Sequence, residues 1–381
     1  MRAELGDERG RGGPPRRGWL GRLGGQLRRG RRRLERLGRQ GLGRLLARLA
    51  ARQQMPVVLP PAPRILVIRL DERLGNLLLL TPLLSSLRAR FPAARLEILA
   101  QAGRAVLLRG HPAVDAVIGF RKRALLAADG PLRLPWALRR RRYDLCLDAA
   151  NPTDASATQA CLGRLIAARH SVGAGGSVFA PLYSAIVPPL VGPAHEIDLR
   201  LQLLTVLPAT PPLRRTSLSP LPPLRAAPRL AAWAAALVPG AWGVVNLGAR
   251  LASKRLDAAA YADLAALMTA AGLQPILLYG PQEHDLAVAT LNLAPPSTRL
   301  APPTDLLELA QVMQAARAVI SCDTGPMHVA VAAGSPTCGL FVSTDPVRYG
   351  YAAAPHAAVD LRKLGWPLAL GQVRAWLQGL V

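Results

Sequence analysis

The stretch Ile320–Leu340, ISCDTGPMHVAVAAGSPTCGL, decides how this chain is to be read. Ala318, Val319 and Ile320 form the end of a short apolar strand that runs into Asp323-Thr324-Gly325. Pro326 then stands where a first helical residue belongs, and Met327–Ala333 continues a helix until Gly334 stops it. A strand entering a tight turn and then a helix leaves the first helical N–H groups without intrahelical acceptors. With the helix dipole, those groups form a site for a phosphate or pyrophosphate. Asp323, Thr324 and His328 place polar side chains around the same point. The pattern reads as a nucleotide-sugar site.

Working outward, the chain alternates strands and helices in two blocks. In the first, strands are expected at Ile65–Leu70, Leu96–Leu99, Val114–Ile118 and Tyr143–Leu147, with a single helix over Leu74–Arg90 and a closing helix over His195–Leu207. Ile65–Leu70 is continuously apolar, as a strand buried on both faces of a parallel sheet must be. In the second block, strands Val244–Leu247, Pro275–Tyr279 and Thr337–Val342 alternate with helices at Ala258–Ala271, Gln282–Leu291 and Asp305–Ala316. Two such blocks predict two doubly wound α/β domains facing each other across a cleft, with ligands at the carboxyl ends of the strands. The expected organisation is an arm over residues 1–54, a first domain over 55–207, a proline-rich linker over 208–228 and a second domain over 229–381.

Composition bounds the function. The 381 residues suffice for two hydrophobic cores. No uninterrupted apolar run reaches the ~18–20 residues of a membrane span, and the charged N-terminus lacks the apolar block of a secretory leader. The four cysteines, Cys146, Cys161, Cys322 and Cys338, are widely spaced, which reads as free thiols in a reducing cytoplasm and suggests no zinc site. Net charge is +25, and the arm alone holds 16 arginines against 4 acidic residues. Its leucines, from Leu20 to Leu49, recur at roughly helical spacing. A membrane-surface helix drawn to anionic lipid and a glycine-broken tail both fit, as does a true start at Met55. Nucleic-acid binding is disfavoured, because Trp19 is the arm's single aromatic. Only three lysines occur, Lys122, Lys254 and Lys363, so one beside a cleft motif invites a specific role.

Four segments together resemble glycosyltransferase family 9, the bacterial heptosyltransferases. They are ILVIRLDERLGNLLLLTP (65–82), GARLASKR (248–255), YGPQE (279–283) and DTGPMH (323–328), in the family's order. The resemblance implies a GT-B fold and inverting transfer from an ADP-sugar co-substrate, with no metal or other cofactor. It further implies a lipopolysaccharide inner-core or similar glycolipid acceptor, reached from the cytoplasmic face of the inner membrane. On this resemblance Ser253, Lys254, Glu283, Asp323, Thr324, Gly325, Met327 and His328 bind the donor, and Gly75 lies on the acceptor side.

The chemistry also stands on the residues. Charge builds on a departing diphosphate and must meet donors placed in advance; removing one typically costs ~2.7–4 kcal/mol in the transition state. Lys254 supplies a point charge, and the helix starting at Pro326 supplies N–H groups. Glu283 suits ribose hydroxyls or a helix N-terminus equally. Met327 fits either core packing or an adenine contact, and His328 either a structural bond or a ligand contact. The acceptor hydroxyl needs a general base. The family's first loop ends in Gly-Asp, whereas here the pair is Gly75-Asn76, and an amide cannot take a proton. Asp71 is a substitute base or a turn cap; in the alternative, Asn76 orients the acceptor while another group or water takes the proton. The competing class is a nucleotide-sugar-binding homologue whose turnover is weakened by Asn76. A Rossmann-type epimerase or dehydrogenase is disfavoured, because no GxGxxG follows Ile65–Leu70.

Overall fold

A computed structural model describes residues 52–121, 133–151, 155–207, 227–237 and 241–380, with Gly41, Leu218 and Leu221. Nearly all of the basic arm and most of the proline-rich stretch lie outside the described residues.

Two six-stranded parallel sheets make up the protein. In the first, strand β1 (Arg64–Arg69) lies at the centre, buried along all but its first residue. It pairs with β2 (Arg95–Gln101) on one side and β4 (Leu145–Asp148) on the other. Strand β3 (Ala116–Phe120) lies outside β2. Strands β5 (His170–Ala174) and β6 (Ala185–Val187) extend the sheet past β4, giving the order β3-β2-β1-β4-β5-β6. The second sheet repeats this plan as β12-β11-β10-β7-β8-β9. Its centre is β7 (Trp242–Asn246) beside β10 (Ala318–Cys322), flanked by β8 (Gln274–Leu278) and β11 (Thr337–Leu340). Its edges are β9 (Arg299–Leu300) and β12 (Ala357–Val359). The order reverses beside the central strand of each sheet, and such a switch point opens a crevice at the carboxyl ends of the strands.

The single helix expected over Leu74–Arg90 is two helices, α1 (Leu74–Leu78) and α2 (Thr81–Arg90). Pro82 is the cause. It has no N–H for the Leu78 carbonyl, and its ring crowds that oxygen. The Thr81 hydroxyl takes over, donating to Leu78 O at 2.8 Å. The closing helix expected over His195–Leu207 is α-helical only as α3 (Glu196–Leu201), then tightens into a 3-10 turn through Val206. Arg52 and Gln54, which the sequence reading assigns to the arm, are bonded to the first domain. The Arg52 guanidinium donates to Ala168 O and Arg169 O at 3.1 Å each, and Gln54 Nε2 donates to Tyr183 O at 2.9 Å. No helix among the described residues is long and apolar enough to cross a membrane.

The two sheets meet through short helices. Helix α1 packs on the start of α4 (Gly325–Ala332), and one buried apolar cluster runs from Leu77 and Leu80 to Val329 and Ala330. An ion pair reinforces the joint. Fully buried Glu196 accepts from Arg348 Nε and Nη2 at 2.8 and 2.5 Å across the domains, from Arg200 Nη2 at 2.6 Å and from Asn151 Nδ2 at 3.0 Å. Burial and the nearby charge of Arg69 push Arg200 down to about 10, with Glu196 offsetting them in part.

Glu196→Ala leaves Arg200 buried without its counter-charge, and removing one partner of a buried pair costs about 3–5 kcal/mol. Arg348→Ala removes a partner with a 37% exposed side chain and should lose well under half as much. Urea titrations followed by circular dichroism measure both. Equal losses would remove the case for Glu196 as the buried centre of the joint.

Candidate active site

Strand β10 sets the first group. Asp323 N donates to Leu340 O at 3.0 Å, which extends the ladder with β11 by one residue and turns the Asp323 side chain inward, 4% exposed. A buried carboxylate needs donors, and three segments supply them. Lys254, at the end of the 3-10 turn Ala252–Lys254, donates from Nζ to Asp323 Oδ2 at 2.7 Å and to Asp323 O at 3.0 Å. The Thr344 hydroxyl donates to the same Oδ2 at 2.6 Å, and His328 Nε2 lies 3.7 Å from Oδ1. Burial alone would raise the Asp323 pKa. The His328 and Lys254 contacts outweigh it and hold the carboxyl well below the usual carboxylate range.

Helix α4 starts where the sequence places it. Thr324 precedes it in extended conformation and makes no side-chain cap, while Pro326 occupies its first turn. Met327 N is taken by Thr324 O at 3.2 Å. Gly325 is half-buried, and the Leu74 side chain of α1 lies against it: a Cβ built there would be 3.1 Å from Leu74 Cβ. Asn246, at the end of β7, keeps the 248–255 loop beside this turn. Its Nδ2 donates to Ser321 Oγ at 3.0 Å and to Gly248 O at 3.2 Å.

Lys254, Asp323, Thr324, Gly325 and His328 therefore share one locus. Ser253 is exposed at its edge. Met327 is fully buried, with its Sδ against Gly339, so its environment is core packing. Glu283 precedes the helix His284–Leu293, is 6% exposed, and is ion-paired with Arg255 of the 248–255 loop.

The first domain contributes the loop after β1. Asp71 Oδ2 accepts from Arg69 Nη2 at 2.5 Å and Asn76 Nδ2 at 2.7 Å, and its Oδ1 accepts from Arg73 N at 3.0 Å. Asp71 thus caps its turn and is also gripped by Asn76. Its side chain stays 34% exposed, which leaves an edge open to a substrate. Gly75 touches the second domain directly: a Cβ there would fall 2.4 Å from Cδ2 of the His328 ring. That distance is far inside van der Waals contact, so any side chain here would force the His328 ring or the lobes to shift.

Several participants carried no signal in the sequence reading. Thr344, Tyr351, Glu196 and Arg348 sit in irregular segments or far apart along the chain. Arg255 was visible in GARLASKR, next to the lysine that drew attention.

Comparison with known proteins identifies the architecture. A family model described as glycosyltransferase family 9 (heptosyltransferase) matches residues 212–363. A lipopolysaccharide heptosyltransferase 3 from Escherichia coli is 27% identical over 292 residues, covering 72% of this chain and 82% of the relative. Among solved structures, the glycosyl transferase family 9 protein from Veillonella parvula DSM 2008 superposes with a TM-score of 0.70 at 19% identity, covering 86% of this chain and 99% of that one. The E. coli heptosyltransferase WaaC with ADP gives 0.65 at 19% identity, covering 84% and 100%. The shared fold is GT-B, two facing Rossmann-like domains. Family match, sequence relative and fold agree with the motifs at the cleft: the chain is a glycosyltransferase whose residues 212–363 match the family 9 model.

Proposed function

We propose that this enzyme moves a heptose, or a closely related sugar, from an ADP-sugar to an inner-core hydroxyl of lipopolysaccharide or a similar glycolipid. The observation that carries the reading is the convergence of Lys254 and the uncapped start of α4 on one point at the strand ends of the second domain. The E. coli relatives named for lipopolysaccharide transfer and for ADP support the choice of donor and acceptor.

In this reaction the acceptor oxygen bonds to the anomeric carbon as the bond from that carbon to the diphosphate breaks, and ADP departs. Attack opposite the leaving group inverts the centre. Asp71 takes the hydroxyl proton, and Asn76 fixes the carboxylate that receives it. Lys254 uses two of its three N–H groups on Asp323, so one is left for a phosphate oxygen. That donor and the N–H of Gly325, with the dipole of α4 behind it, meet the charge on ADP, so no metal is invoked. Glu283, steadied by Arg255, lies beside the Gly280 turn, where a ribose hydroxyl would be met. The basic arm and body suit an anionic membrane surface at the cytoplasmic face, with no part for nucleic acid. Asn76, standing where the family has its acid, favours a second reading: a protein that holds the nucleotide sugar and turns it over feebly or not at all.

Purified protein with ADP-heptose and a core acceptor separates the two readings. Donor binding without transfer would leave the second. If transfer is seen, Lys254→Ala should cut it at least tenfold, because it removes a preplaced donor; an unchanged rate would take Lys254 out of the site.

Asp71→Asn should lower kcat on the order of a hundredfold, the scale of a lost general base. Asn76→Asp would set two carboxylates face to face and raise the pKa of the pair. The acidic limb of kcat/KM should then move to higher pH, and a profile that stays put would exclude this pair as the base.

Deleting residues 1–51, which spares Arg52 and Gln54, should preserve transfer to a soluble acceptor and weaken binding to anionic liposomes at low salt. Full liposome binding by the truncated protein would end the arm's membrane role.

A further inference from the structure

Tyr351 follows the short helix Pro346–Tyr349 and belongs to none of the motifs. Its hydroxyl lies 2.7 Å from His328 Nδ1. The other ring nitrogen, Nε2, faces Asp323 Oδ1 at 3.7 Å. These two neighbours assign the ring's proton. Asp323 is ionised and can only accept, so the nitrogen facing it carries hydrogen. In the singly protonated ring Nδ1 is then an acceptor, and the Tyr351 hydroxyl donates to it. Burial and the Asp323 charge both raise the Tyr351 pKa, so this proton is retained.

At 3.7 Å the Nε2–H is not consumed by a short bond to Asp323, and a ligand oxygen at the same locus could take it. Lys254, its partner in holding Asp323, likewise keeps a spare N–H.

The tyrosine is itself fixed by rings. It meets His328 edge-on at 5.7 Å between centroids, His195 at 5.9 Å and His356 at 6.1 Å. His195 comes from the first domain, where its Nδ1 accepts from Ile197 N at 3.2 Å and so caps α3 one residue before Glu196. The His328 ring also rests on Gly75 of that domain.

We infer that Tyr351 is a positioning residue that fixes His328 in the tautomer presenting Nε2–H to the departing diphosphate. The tautomer follows from the two neighbours of the ring and the charge on Asp323, whereas its use in transfer rests on the function proposed above. The tautomer of an imidazole is set by the bond its other nitrogen makes, and a preplaced donor aimed at developing charge acts on kcat rather than on uniform binding.

Long-range proton–nitrogen correlation spectra of the full chain labelled with 15N-histidine test this, with His328→Asn supplying the assignment. Wild-type His328 should show the Nε2–H pattern. Tyr351→Phe keeps the ring packing and deletes only the hydroxyl; it should give a mixture of tautomers, with kcat lower on the order of tenfold and donor KM within about twofold. Finding Nδ1–H in the wild type overturns the inference without any variant. So does an unaltered Nε2–H pattern in Tyr351→Phe, whatever its activity. A wild type with the expected tautomer but no affinity for ADP would instead overturn the proposed function, and with it the role given to the ring.

Discussion

A single ionised carboxylate organises the cleft. Asp323 is almost wholly buried, and an isolated charge in that position would be neutralised or expelled. It is kept by an ammonium from one loop, a hydroxyl from a second and an imidazole from a helix. The geometry of all three follows from one requirement, that the negative charge be met. The same requirement explains why a cationic side chain lies at the mouth of α4 before any phosphate arrives. Asp323 is a weak candidate for direct contact with a diphosphate, since like charges repel. Its place is behind the Lys254 ammonium, which it holds in orientation while leaving one N–H unused.

The second organising feature is the closeness of the two lobes. Leu74 rests on Gly325, Gly75 rests on the His328 ring, and apolar residues from both sheets join in one buried cluster. Glu196 adds a charge-assisted link through Arg348, with Arg200 and Asn151 completing its shell. The loop that carries Asp71 and Asn76 is thereby brought against the element that carries His328. On the function proposed above, proton acceptor and leaving-group donors come from different domains, so the reacting geometry depends on how these surfaces seat.

Much of this was legible in the residues. The continuous apolar run at Ile65–Leu70 and the turn at Asp323-Thr324-Gly325 appear as read, because buried parallel strands and helix starts leave strong local marks. Edge strands such as Ala185–Val187 leave weak ones, being three residues long and without alternation. The break between α1 and α2 was visible in Pro82, yet the leucine periodicity across it masked the proline. Met327 shows the limit of motif reading, because its burial depends on Gly339 from a neighbouring strand. Glu196 and Arg348 are 152 positions apart, and no local pattern announces such a pair. Tyr351 was silent for the same reason: its meaning lies in what surrounds it.

The missing side chain at position 75 has a further mechanical meaning. With the His328 ring lying where a Cβ would be, this glycine acts as the zero setting of a spacer. Each added atom would wedge the lobes apart and widen the gap that the acceptor must bridge. On the function proposed above, the distance over which a sugar is handed across is thus written into the absence of a methyl group.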